Sequence, residues 1–268
     1  QDEFFQPDEV TKKCVIEYAI VWRPAPGWLK TFPNLKCIIS IGSGIDHILS
    51  DPELPKNIPI IRTTGPILTN QMREYVVLHV LRLHRELPIF ESAQNKMEWK
   101  SHLVPPASER SVGIMGLGNL GSNCAHALSN IGFKVCGWAK SQKSLPNIKC
   151  FSENDKIEFL NNADILVCML PLTPETDGIL NSELFSHLPS GASLINVARG
   201  QHLIENDLLD GLKSGHLRRA TLDVFREEPL PENHPFWTHP NILITPHTAS
   251  IVDPVLGGQI IADNLKKF

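Results

Sequence analysis

Apolar residues along this chain gather in short runs separated by Pro, Gly and Asn. Tyr-Ala-Ile-Val-Trp at 18–22, Lys-Cys-Ile-Ile-Ser-Ile at 36–41 and Ile-Pro-Ile-Ile at 58–61 read as short buried strands of a small α/β lobe. From Asn70, read as an N-cap, Met72, Val76, Val80, Leu83 and Leu87 recur every three or four residues, the stripe of an amphipathic helix. That helix is expected to cross from one lobe to the next. The stretch from Asn95 to Glu109, with Trp99, Pro105 and Pro106, has no period and predicts an irregular arm.

Strand-like runs follow at 111–115, 133–138, 164–170, 192–197, 219–224 and 241–245, most of them separated by segments of helical length. Strands alternating with helices predict a parallel, doubly wound sheet. Residues 251–268 have the length and spacing of one more helix, expected to pack back on the first lobe. The predicted division is therefore a substrate lobe at 1–69, a dinucleotide-binding domain at 70–249 and a returning helix at 250–268.

Composition narrows the function class. A chain of 268 residues is long for one ordinary core, and two lobes imply a cleft. With 42% hydrophobic residues, 20% charged and a net charge of -4, the chain predicts a globular protein with no nucleic-acid partner. The longest apolar runs are strand-length, so no membrane span is expected, and a cytoplasmic location is. The six cysteines (Cys14, Cys37, Cys124, Cys136, Cys150, Cys168) form no C-x-x-C pair and read as reduced core residues; no metal site is predicted. The chain opens at Gln1-Asp2-Glu3-Phe4 with no initiating Met and no strand before the first helical stretch, so part of the N-terminus is expected to be missing.

Chemistry enters at Gly116-Leu-Gly118-Asn119-Leu120-Gly121, which follows a strand and opens a helix. In that context the first Gly permits a tight turn, the second lets backbone approach a pyrophosphate, and the third lets helix and strand pack closely. A dinucleotide is the expected ligand. An NAD site carries an acid about 20 residues further on, at the end of the second strand. Here Gly137-Trp138-Ala-Lys140-Ser141-Gln-Lys143 supplies two cations and a hydroxyl in its place, which predicts a 2′-phosphate and hence NADPH in preference to NADH. Arg199 ends the run Leu-Ile-Asn-Val197-Ala198, while Glu228 and His247 follow the next two strands. Ligand crevices of open parallel sheets lie beyond the strands' carboxyl ends, where all three sit. His239, in Thr-His-Pro-Asn, reads as structural.

These residues resemble the D-isomer-specific 2-hydroxyacid dehydrogenase family from about Ile41 to the C-terminus. The resemblance rests on Gly-Leu-Gly-Asn-Leu-Gly, Leu-Pro-Leu-Thr-Pro-Glu-Thr at 170–176, Asn-Val-Ala-Arg-Gly at 196–200, Leu-Asp-Val-Phe at 222–225 with Glu-Pro-Leu-Pro at 228–231, and Thr-Pro-His at 245–247. Within the family the chain is most similar to the bacterial glyoxylate/hydroxypyruvate reductase A group, through Val-Trp-Arg-Pro at 21–24, Trp-Ala-Lys-Ser at 138–141 and Pro-Phe-Trp-Thr-His-Pro at 235–240. It departs from the family in lacking the first strand and in ending soon after the final helix begins.

The resemblance implies a Rossmann-type sheet plus a smaller flavodoxin-like substrate lobe, and a homodimer formed through the cofactor domain and its arm. It implies a small 2-oxo acid as substrate, with Arg199, Glu228 and His247 as the catalytic set. A guanidinium can bind the carboxylate and polarise the neighbouring carbonyl. An imidazolium can donate a proton to the oxygen as hydride reaches carbon, and a carboxylate on its other nitrogen orients and stabilises it. Gly42-Ser43-Gly44-Ile45 resembles the substrate-carboxylate loop, a nest of backbone N–H groups. Asp223 resembles the residue at the nicotinamide amide, and Leu170, Pro171 and Thr176 the loop beside the cofactor. Trp22 and Arg23 are weaker candidates for the pocket wall. Two other readings stay open: an NAD-linked D-lactate or phosphoglycerate dehydrogenase, disfavoured by Lys140, and a cofactor-sensing binding protein, which turnover would separate.

Overall fold

The computed structural model describes residues 13–251 and 254–266. The expected opening helical stretch falls largely outside them. The chain divides into two compact units, one made of residues 1–68 and 252–268, the other of 69–251.

In the first unit β1 (Tyr18–Val21), β2 (Cys37–Ser40) and β3 (Ile60–Arg62) form a parallel sheet in that order. Edge strand β1 alternates exposed and buried residues, whereas central β2 is buried throughout, as a parallel strand covered on both faces must be. Ala19, Val21 and Ile38 pack with Leu29, Phe32 and Ile48, the last from the short helix α1 (Asp46–Leu49). The third strand starts two residues later than its apolar run because Pro59 has no N–H to give to a ladder; its carbonyl still accepts from the Ile38 amide at 3.0 Å.

Helix α2, which lies in the second unit from Thr69 onward, starts at Pro66 rather than at Asn70 and runs to His84. Proline suits a first helical turn, where its missing N–H has no partner to lose. Met72, Val76, Val80 and Leu83 are buried as the stripe predicts, but Leu87 is exposed and belongs to the next helix, α3 (Leu87–Asn95). The break comes at Glu86, with φ +58°, because Pro88 cannot continue α2. The arm then runs without helix or strand from Lys96 to Pro106, with Met97, Trp99 and Leu103 almost wholly in solvent.

The sheet follows: β4 (Ser111–Met115), α4 (Asn119–Ile131), β5 (Lys134–Trp138), β6 (Lys149–Phe151), α5 (Lys156–Asn161), β7 (Ile165–Cys168), α6 (Ser182–Ser186), β8 (Ala192–Asn196), α7 (Glu205–Ser214), β9 (Leu217–Leu222) and β10 (Ile242–Ile244). Its seven strands are all parallel, in the order β10-β9-β8-β7-β4-β5-β6. The order reverses between β4 and β7, which places a ligand crevice at the carboxyl ends of these two strands. Strand alternation divides the core. Ile165 and Val167 join Met72, Val76, Ile114 and Leu128 on one face, while Leu166 and Cys168 join Phe159, Leu194 and Leu222 on the other.

Helix α8 (Pro254–Leu265) returns to the first unit, where Ile261 and Leu265 cover the face of β2 that carries Cys37 and Ile39. All six cysteines are free, and four are buried; Cys14 is exposed instead, lying in a short helical turn ahead of β1. Among the described residues no helix is long and apolar enough to cross a membrane.

Candidate active site

The glycine turn after β4 has three distinct environments. Gly116 has φ +105°, and a Cβ there would stand 2.6 Å from the Met169 carbonyl oxygen. One on Gly121 would stand 1.8 Å from the Gly116 oxygen, so α4 can lie this close to β4 only without a side chain. Around Gly118 there is nothing within 4 Å. Gly118 is also the N-cap of α4 and supplies no side chain to satisfy the first-turn N–H groups. An open glycine under the positive end of a 13-residue helix fits a pyrophosphate. Beside it, Leu120 is half-buried, and the Asn119 amide donates to Thr69 Oγ1 at 3.2 Å.

Beyond β5, Lys140, Ser141 and Lys143 stand exposed on one turn, and among the described residues neither lysine has an acidic partner within 4 Å. Trp138 does not join them: it packs in the core with Phe151 and Phe159. Sequence reading missed Glu175, from the loop after β7. Its carboxyl is held below the usual range by a hydrogen bond from Thr173, by its own backbone and by the charge of Lys140.

Arg199, Glu228 and His247 follow β8, β9 and β10, three neighbours in the sheet. Val197 and Ala198 carry the chain out of β8 buried. The Arg199 turn is tightly specified. A Cβ on Gly200 would stand 1.8 Å from the Phe225 carbonyl carbon, Asn196 Nδ2 donates to the Arg199 oxygen at 3.0 Å, and the Arg199 amide donates to His202 Nδ1 at 3.2 Å. His202 is fully buried, so its Nε2–H is directed to the Pro171 oxygen at 3.3 Å. The same oxygen accepts from Thr176 Oγ1 at 2.7 Å, which ties the 171–176 loop, next to the buried Leu170, to the Arg199 turn.

His247 Nδ1 lies 2.9 Å from Glu228 Oε2, and the Phe225 amide donates to the other carboxylate oxygen at 2.9 Å. A carboxylate only accepts, so the ring carries its proton on Nδ1 and gains or loses the second one at Nε2. The His247 backbone sits at φ +54°, left-handed and uncommon for a residue with a side chain. Asp223 holds it there. Its backbone oxygen accepts from the His247 amide at 2.8 Å, and its carboxylate accepts from the Thr248 and Ala249 amides at 2.8 and 2.9 Å. Burial pushes the Asp223 carboxyl above its ordinary value, against the pull of these bonds and of Thr245.

In the first unit, Gly42, Ser43, Gly44 and Ile45 form the turn between β2 and α1. A Cβ on Gly42 would stand 2.8 Å from the Trp22 ring, and Ser40 Oγ donates to the Gly44 oxygen at 3.0 Å. The same Trp22 packs on His47 with ring centroids 4.7 Å apart.

The sequence profile for the NAD binding domain of D-isomer specific 2-hydroxyacid dehydrogenases matches residues 77–249. The chain belongs to this family. Among its relatives in the family is a glyoxylate/hydroxypyruvate reductase A from Serratia proteamaculans, 41% identical over 255 residues, which cover 93% of this chain and 82% of the relative. A family member from Xanthobacter autotrophicus, solved in complex with NADPH and MES, matches 96% of this chain and 81% of its own with TM-score 0.90 and 42% identity. An NADPH-dependent glyoxylate/hydroxypyruvate reductase from Sinorhizobium meliloti, solved with NADP and sulfate, matches 97% of this chain and 83% of its own with TM-score 0.91 and 36% identity. The chain is thus a two-unit α/β oxidoreductase of the 2-hydroxyacid dehydrogenase family.

Proposed function

We propose that this protein reduces glyoxylate or hydroxypyruvate to the corresponding 2-hydroxy acid with NADPH. The observation that carries the reading is the His247–Glu228 pair, 2.9 Å apart and placed with Arg199 beyond three adjacent strand ends. NADPH, which the Gly116–Gly121 turn would hold, would supply the hydride that the carbonyl carbon accepts. Arg199 binds the substrate carboxylate and polarises the carbonyl. As charge grows on the carbonyl oxygen, His247 Nε2 releases its proton there, which balances the reduction: one hydride to carbon, one proton to oxygen. Glu228 stabilises the imidazolium and sets the ring orientation, and Asp223 fixes the loop on the side where the nicotinamide amide would lie.

The Gly116–Gly121 turn holds the pyrophosphate, with Leu170, Pro171, Thr176, Val197 and Ala198 along the nicotinamide half. Lys140, Ser141 and Lys143 would hold the 2′-phosphate, and the exposure of both lysines, with no acidic partner within 4 Å among the described residues, supports a preference for NADPH. Oxidation of NADPH and of NADH followed at 340 nm with glyoxylate, hydroxypyruvate, pyruvate and phenylpyruvate tests the reading. Turnover is expected with the first two acids, and none with any of the four would refute it. The protein acts as a homodimer through the second unit. The exposed Met97, Trp99 and Leu103, and a groove of about 450 Å³ between Val104–Pro106 of the arm and Leu81, His84 and Ile131, support this. Light scattering is expected to give twice the chain mass at micromolar concentration, and the chain mass alone would refute the dimer.

A further inference from the structure

Besides the two backbone amides and a long contact from Thr248 Oγ1 at 3.5 Å, the Asp223 carboxylate has a partner that leads away from the strand ends to α2. Thr245 Oγ1 lies 2.6 Å from Asp223 Oδ1 and 2.5 Å from the Tyr75 hydroxyl. The direction of this chain follows from donor and acceptor capacity. A carboxylate offers no proton, so Thr245 donates to Asp223, its oxygen is left as acceptor, and Tyr75 donates to Thr245. Burial raises the Tyr75 hydroxyl well above its ordinary range, which keeps it a donor. The Tyr75 ring is held by His79, one turn further along α2, with centroids 4.2 Å apart. Charged and titratable groups around Asp223 are Tyr75 with His79 behind it on α2, and His247, bonded to Glu228, on the loop after β10.

We propose that Tyr75 and Thr245 are positioning residues of the reduction: they orient the Asp223 carboxylate, and through it the 245–249 loop that presents His247. This rests on the reading of His247 as proton donor given above. Asp223 is 1% exposed, and Thr245 makes the shortest of its bonds. Without that bond the carboxylate is left to groups of the very loop it has to fix, the Thr248 and Ala249 amides and the Thr248 hydroxyl at 3.5 Å, and its charged form is less favoured in a buried site.

The test compares Thr245→Val, which keeps the shape and removes the hydroxyl, with Thr245→Ser, which restores it, and with Tyr75→Phe. With NADPH and glyoxylate from pH 5 to 9, Thr245→Val is expected to lower kcat about 10-fold. Its KM should change by less than about two-fold, and the acid limb of its kcat profile should move up by about one pH unit. Thr245→Ser should return the limb to the wild-type position. Tyr75→Phe should move it the same way by less, and the double variant Tyr75→Phe/Thr245→Val should be no worse than Thr245→Val alone, because the acceptor for Tyr75 is already gone. Thermal unfolding reads the relay without turnover. A carboxyl whose folded pKa is raised further costs stability as pH rises through it, so the Tm deficit of Thr245→Val against Thr245→Ser should be larger at pH 7 than at pH 4.5. Coincident kcat profiles, additive single variants or a deficit that does not change with pH would each overturn the proposal. A wild-type protein without turnover would count against the reductase reading alone, since unfolding still decides the relay.

Discussion

Replacing Gly118 by Ala separates the two tasks of the glycine turn. The residue has φ -76° and ψ -168°, extended backbone open to any side chain, and an added Cβ meets nothing within 4 Å. Alanine is a slightly poorer N-cap than glycine but has less freedom in the unfolded chain, so the two effects offset to within about 1 kcal/mol. Over the turn, however, the methyl group would stand between the α4 amides and a phosphate. Losing one charge-assisted bond of about 1.5 to 3 kcal/mol corresponds to a Kd for NADPH raised roughly 10- to 150-fold. Gly121→Ala should behave in the opposite way. Its Cβ would lie 1.8 Å from the Gly116 oxygen, which forces α4 off β4 and costs on the order of 1 to 3 kcal/mol or more of stability. NADPH fluorescence titration and thermal unfolding of both variants decide the matter. A wild-type Kd for Gly118→Ala would show that the pyrophosphate does not lie over this turn, and a Tm loss matching that of Gly121→Ala would show that the space is not open.

His247→Ala should lower kcat by about 10²- to 10⁴-fold while NADPH still binds; near-normal kcat would move the acid elsewhere. Glu228→Gln should keep the fold and shift the activity profile to lower pH, since the imidazolium loses its carboxylate, and an unchanged profile would remove Glu228 from the mechanism. Wild type should prefer NADPH by about 10- to 100-fold in kcat/KM, and Lys140→Ala/Lys143→Ala should raise KM for NADPH alone; a preference that survives the double change would return the turn to ordinary solvated surface. Burial, aided by the charge of Arg82, lowers the His79 pKa from 6.5 to about 4. Above pH 6.5 both folded and unfolded chains are neutral there, but between 6.5 and 4 only the unfolded chain takes up the proton, so about 3 kcal/mol of stability is lost on acidification. Urea unfolding between pH 7 and 4 should show this loss in wild type and not in His79→Leu; parallel slopes would contradict it.

The strands of the large sheet were legible because parallel strands buried on both faces read as continuous apolar runs, as Ile165–Cys168 does. Strand β6 was not: in Lys149–Phe151 the first residue is exposed and the second half-buried, so no apolar run marks it. The break between α2 and α3 was written in Pro88, but the apolar period running on through Leu87 outweighed it. At the site, the glycines and the three strand-end residues carry type and position in the sequence. Tyr75, Thr245 and His202 do not, because their meaning comes from partners 170, 22 and 31 residues away. An acid was sought along the chain after β5, whereas Glu175, which the fold brings within electrostatic reach of Lys140, comes from another strand end.

The first unit is built from two segments that are synthesised far apart in time. Its Cys37–Ile39 face is covered by Ile261 and Leu265 of α8, and the whole second unit lies between them in the sequence. At about 5 to 20 residues per second, β2 leaves the ribosome roughly 10 to 45 s before its cover does. The contiguous 69–251 unit can therefore close first, leaving the small sheet with one apolar face open to water until α8 has been made. Chaperone dependence of this protein should reside in that interval, and a circular permutant that begins with α8 should shorten it.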